Sequence, residues 1–121
     1  MTETSDAAGY DLEDRTFRFA RAVRAFVRRV PRSLQNTEDV RQLVRASGSV
    51  GANYIEANEA LSKKDFVHRL RIARKEAKES RYWLRLVDTR DDVSLSDERD
   101  GLVREGQELL LIFSAIIRNA S

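Results

Sequence analysis

Residues 45–60 read RASGSVGANYIEANEA. The spacing is helical, yet Ala46, Ser47, Gly48, Ser49, Gly51 and Ala52 stand where a helix facing a core ordinarily carries Leu or Ile. Small side chains in such a run let a second backbone approach to the short end of the usual interhelical range, about 8 to 10 Å. What approaches decides the fold, and the flanking sequence supplies a candidate.

That candidate is the segment 62–87, SKKDFVHRLRIARKEAKESRYWLRLV. Ser62 with Asp65 three residues on has the form of a helix N-cap, and Phe66, Leu70, Ala73, Ala77, Ser80, Leu84 and Val87 keep a heptad seam behind it. A turn near Ala60 and Leu61 makes the two segments an antiparallel hairpin, in which Ser49 faces Ala73 and Ala46 and Ser47 come level with Lys75 to Ala77. The small residues of the second helix are therefore expected against the small seam residues of the third. In this register Arg45 lies level with Glu76. A charge beside so close a contact needs a partner, because burying it alone is costly, and Glu76 or Glu79 supplies one.

Working outward, a first helix is expected to run to Val30 with the seam Phe19, Val23, Phe26 and Val30, an N-cap at Asp11 or Asp14, and a stop imposed by Pro31. The second helix is expected to start near Asn36 or Thr37, with the seam Val40, Leu43, Ser47, Val50 and Tyr54. The stretch DTRDDVSLSDERD, residues 88–100, reads as a loop and cap before a fourth helix carrying Leu102, Gly106, Leu109, Phe113, Ile116 and Ala120. Four helices with short connections give an all-α, antiparallel up-down-up-down four-helix bundle. Its domain is expected over residues 14–121, after a flexible acidic N-terminal tail at 1–13. A chain of 121 residues with one proline, five glycines and 35% charged residues fits long solvated helices better than a β fold, which needs more turns.

Zero cysteines exclude disulfides and thiolate chemistry. The opening MTETSDAAGYDLED lacks the apolar run of a secretory signal, so a cytoplasmic protein is expected. No apolar run reaches the roughly 20 residues that span a bilayer, so no membrane partner is expected.

Charge is segregated along the chain. Residues 1–14 carry five acids and no base, and residues 15–37 carry seven arginines and no acid. Residues 62–87 hold nine bases against three acids, and residues 88–121 hold eight acids against four bases. Arg21, Arg24 and Arg28 share one face of the first helix, flanked by Arg18, Arg29 and Arg32, and this surface is the candidate site for RNA or DNA. Without base-stacking aromatics or a recognition motif, binding there is led by shape and charge.

No catalytic set emerges. The repeated E-x-x-E of Glu56 with Glu59 and Glu76 with Glu79 has the form of the magnesium-holding carboxylates of all-α nucleotide pyrophosphohydrolases. The hairpin register, however, sets Glu59 and Glu76 roughly 20 Å apart, too far for one ion. A di-iron site needs a second histidine beside His68, and Gly48 and Gly51 do not follow a strand as a phosphate loop requires. No metal or cofactor is expected, and no enzyme.

The run QLVRASGSVGANYIEANEALSKKDFVHRLRIARKEAKESRYWL, residues 42–84, resembles the signature of the bacterial four-helix-bundle family named after open reading frames inside 23S ribosomal RNA intervening sequences. The matching positions include Gln42, Arg45, Ser49, Asn53, Glu56, Phe66, Ala73, Glu76, Glu79 and Leu84. Where many members carry Asn-Ile-Ala-Glu-Gly, this chain has Asn53-Tyr54-Ile55-Glu56-Ala57. The resemblance implies a ring-like homopentamer with no established enzymatic activity. Related bundle proteins accompany reverse transcriptases in diversity-generating retroelements and bind nucleic acid.

Apart from that resemblance, Phe17, Ile72, Tyr82, Trp83, Leu110 and Ile117 add apolar surface beside or outside the seams, which favours self-association. Tyr54, Ile72, Tyr82 and Trp83 are the candidate subunit contacts. The expected protein is a non-enzymatic homo-oligomer that scaffolds or chaperones a nucleic-acid-containing complex. The alternatives are an oligomer binding another protein without nucleic acid and a magnesium-dependent pyrophosphohydrolase.

Overall fold

Ser33 and Ser62 start two successive helices by the same device. Each has extended backbone, and each hydroxyl accepts from the N–H three residues on, Asn36 at 3.0 Å and Asp65 at 3.1 Å. This satisfies one of the donors that a helix start leaves open. The structure, a computed structural model, describes the backbone of residues 2–120 and the side chains of residues 12–120. The described chain contains helices α1 (Thr2–Val27), α2 (Leu34–Asn58), α3 (Lys63–Leu86) and α4 (Val93–Ala120), and no strand.

Four ends differ from expectation: α1 starts at Thr2, ahead of the expected cap at Asp11 or Asp14, α4 starts at Val93, inside the expected loop 88–100, and two further ends follow from local hydrogen bonds. Helix α1 stops at Val27 rather than Val30, because the Arg29 N–H turns back to the Phe26 carbonyl at 3.0 Å and the Val30 N–H to that of Val27 at 3.2 Å. These tighter steps unwind the chain ahead of Pro31. Helix α2 begins at Leu34, and Asn36 is no cap but is only 2% exposed inside the bundle. Its Nδ2 donates to the carbonyls of Pro31 and Asp88, and its Oδ1 accepts from the Asp88 N–H, all at 2.9 Å. One amide thereby joins the α1–α2 and α3–α4 loops. In the second of those loops Arg90 and Asp91 take positive φ angles of 52° and 62°.

The expected Asp11 cap and most of the acidic segment 1–13 lie outside the described side chains. Leu12 is buried in the core, so packing reaches into the segment that charge alone sets apart.

Among the described residues the backbones of α2 and α3 approach over the greatest length, then those of α3 and α4 and of α1 and α2, and those of α1 and α4 over the least; α1 and α3 stand diagonally, with no close backbone approach. Partners across each seam run in opposite numerical order, as Arg45 with Glu76 and Asn53 with Arg69, or Arg15 with Glu105 and Arg29 with Glu98. Among the described residues no helix is long and apolar enough to cross a membrane.

The small residues of α2 serve two neighbours rather than one. Ala46 and Ser47 are buried in the core, as are Ala73 and Ala77 of α3. The glycines face α1 instead: a Cβ on Gly51 would stand 3.0 Å from Thr16 Oγ1, and one on Gly48 would stand 3.3 Å from Arg24 Nη2. Helix α1 therefore approaches α2 where α2 has no side chain. Ser49, expected opposite Ala73, is half-buried at the rim of the seam.

Candidate functional site

Phe19, Val23 and Phe26 turn into the core, which leaves Arg18, Arg21, Arg24 and Arg28 on the exposed side of α1. No acid lies within residues 15–37, yet three of the seven arginines there are paired with acids outside the segment. Arg15 makes two hydrogen bonds to the Glu105 carboxylate, at 2.7 and 2.9 Å, Arg18 reaches Asp14 at 2.9 Å, and Arg29 pairs with Glu98. Arg15 and Arg29 thus fasten α1 to α4. Arg21, Arg24, Arg28 and Arg32 form no ion pair among the described residues. Arg21 lies over the Phe17 ring at 5.7 Å, and Arg24 donates to the Ala20 carbonyl at 3.2 Å. Arg28 and Arg32 border a cleft of about 450 Å³ at the α1–α2 elbow, walled by Val27, Val30 and Pro31. The four make a cationic edge from mid-α1 into the loop.

The residues of the α2–α3 signature come together along one seam. Arg45 stands 3.5 Å from Glu76 and 3.2 Å from Glu79, one guanidinium between two carboxylates. Glu76 is buried, and Arg45 is the cation beside it. The Asn53 amide donates to the Ser49 carbonyl at 2.9 Å and accepts from Arg69 at 3.5 Å. Glu56 and Glu59 are exposed at the end of α2, far along the seam from Glu76. No group of three or more acidic or histidine side chains gathers at metal-holding distance among the described residues. The network joins helices by charge.

Of the four candidate subunit contacts, Tyr54 is misplaced: it is 5% exposed and its ring packs against Phe113, with centroids 6.0 Å apart. It continues the Val50 face into the core, as does Ile117 on α4. Ile72 is half-buried. Trp83 packs against the core, and Tyr82 stands on it edge to face at 5.1 Å while remaining 56% exposed. Leu86, one turn on, is also exposed.

One feature escaped the sequence reading. None of the nine cations of α3 forms an ion pair among the described residues. The signal was the charge count over 62–87, but the acids Glu76 and Glu79 share that helix and mask it. The structure turns both toward Arg45, on the side of α2.

The sequence profile of the family described as 23S rRNA-intervening sequence protein matches residues 10–110. Among solved structures, a protein of unknown function from the S23 ribosomal protein family of Bacteroides thetaiotaomicron VPI-5482 is similar, with a TM-score of 0.73 and 28% identity. The match covers 88% of this chain and 97% of that one. No curated protein matches.

Proposed function

The chain belongs to the family of 23S rRNA-intervening sequence proteins, and we propose that it is a non-enzymatic, self-associating bundle that holds nucleic acid by charge within a larger complex. The observation that carries this reading is the cationic edge of Arg21, Arg24, Arg28 and Arg32, which has no acid partner among the described residues although neighbouring arginines do. Affinity for phosphate backbones grows with the number of cations that meet them. A homopentameric ring in the cytoplasm, the assembly we put forward, repeats the edge five-fold and multiplies those contacts. The opposed order of contacts across the seams supports the antiparallel up-down-up-down arrangement, and the exposed Tyr82 and Leu86 beside Trp83 supply apolar surface for self-association. Of the two nucleic acids expected from the sequence, RNA is the first to try.

The test is a salt titration of binding to a labelled single-stranded RNA, with light scattering on the same samples. Binding should weaken steeply with salt, by a log-log slope of about 0.7 per phosphate contact. Replacing Arg21, Arg24 and Arg28 by Gln should flatten the slope and leave the assembly size unchanged. Absence of binding at low salt overturns the reading in favour of an oligomer that binds another protein; dissociation of the variant assigns these arginines to the subunit contact.

A further inference from the structure

Because α1 and α3 stand diagonally in the bundle, with no close backbone approach among the described residues, the cations of α3 form a second basic surface apart from the first. Arg71, Arg74, Lys75, Lys78 and Arg81 line one wall of a groove of about 550 Å³ between α3 and α4, and Gln107 and Ser114 stand on the other wall with no acid among the lining residues. Arg74 donates to the Ser114 hydroxyl at 3.4 Å. From Arg71 to Arg81 the wall is about 15 Å long at 1.5 Å per residue, longer than one phosphate needs.

Arg81 is the most constrained of the five. A Cβ on Gly106 of α4 would stand 2.8 Å from Arg81 Cγ and 3.7 Å from the Ala77 carbonyl. The arginine stem therefore crosses α4 at Gly106, where α4 has no side chain. Its Nε is buried and has no acceptor among the described residues. A buried donor without an acceptor is costly, and so is a row of like charges without a counter-charge. An anion with several oxygens along its length supplies the missing counter-charge.

We infer that the α3–α4 groove is a phosphate-backbone site for single-stranded nucleic acid, with Arg81 set by Gly106 as its fixed donor and Arg71, Arg74, Lys75 and Lys78 as the cations along the strand. This rests on the nucleic-acid reading above and adds a second set of phosphate contacts on a different face.

The experiment compares four full-length proteins on a labelled single-stranded RNA across a salt series: wild type, the triple change Arg74→Gln, Lys78→Gln and Arg81→Gln, the single change Gly106→Ala, and the α1 triple change. The groove variant should bind at least tenfold more weakly at low salt, with a slope smaller by about 2, as expected for three lost contacts at about 0.7 each. Gly106→Ala keeps every charge but displaces the Arg81 stem, and should weaken binding several-fold with unchanged assembly size. If wild type binds and the groove variant keeps its affinity and slope, the inference falls and the nucleic-acid reading stands. A wild type that does not bind at low salt overturns both. If the groove variant loses affinity while Gly106→Ala binds as wild type, the groove acts as diffuse charge and the fixed-donor role of Arg81 is wrong.

Discussion

The side chain of Asn36 and the backbone of Asp88 exchange two hydrogen bonds of 2.9 Å, one in each direction. With the third bond to the Pro31 carbonyl, also 2.9 Å, a single carboxamide holds both loops at one end of the bundle.

Replacing Asn36 by Ala leaves buried loop groups without partners. The expected cost is about 3 kcal/mol, or on the order of 10 °C in thermal midpoint for a domain of this size. Urea denaturation measures it; a loss under about 1 kcal/mol would mean that water takes over the bonds and that the amide does not hold the loops.

Arg45 couples unequally to its two carboxylates. Glu76 is buried, whereas Glu79 shares its ion pair with solvent. Arg45→Met strands the buried carboxylate, and a simultaneous Glu76→Gln should recover part of the loss, with a coupling of about 1 kcal/mol. The cycle with Glu79→Gln should give under about 0.5 kcal/mol, as exposed pairs do. Equal couplings would show that burial does not set the strength of this network.

At Gly51 any larger side chain meets Thr16 of α1. Gly51→Leu is expected to overpack that approach and cost about 1 to 3 kcal/mol, while Ala52→Leu on the exposed neighbour stays within about 0.5 kcal/mol. Ser49→Leu, at the half-buried rim, should fall between the two. Equal stability of the Gly51 and Ala52 variants would contradict the close approach of α1 and α2.

Asp91 holds a φ of 62°, a conformation that penalises a side chain, and its carboxylate forms no hydrogen bond or ion pair among the described residues. Asp91→Gly should stabilise by roughly 0.5 to 1 kcal/mol once the greater freedom of glycine in the unfolded chain is offset. A thermal melt decides the sign, and a fall in midpoint would mean that the loop is unstrained.

The α3 seam from Leu70 to Val87 and its Ser62 cap could be read directly from the sequence, because a heptad of Leu and Ala with a serine before it leaves little choice of face, whereas at its first turn Val67 is buried and the expected Phe66 only partly so. The start of α2 could not. Asn36 and Ser33 are both common caps, and only the distant Asp88 backbone decides that Asn36 turns inward. The glycines of α2 were visible as a demand for close approach, but a demand of that kind does not say which neighbour answers it. Tyr54 shows the same limit: its helical spacing from Val50 placed it on the core face, while its hydroxyl and size made a subunit contact attractive. The basic groove was present as a charge count and hidden as a surface, since composition does not tell which side of α3 its acids take.

The slender seam between α1 and α4 makes α1 the leaf of the bundle that opens first. Two ion pairs, Arg15 with Glu105 and Arg29 with Glu98, fasten it there, and such pairs loosen as salt screens them. In native-state hydrogen exchange the α1 amides should therefore exchange at a lower opening free energy than those of the α2–α3 hairpin, and the gap should widen with ionic strength. The cationic edge travels on that leaf. Its geometry is thus adjustable by the same ions that compete for it, whereas the groove on α3 belongs to the part of the molecule that stays closed.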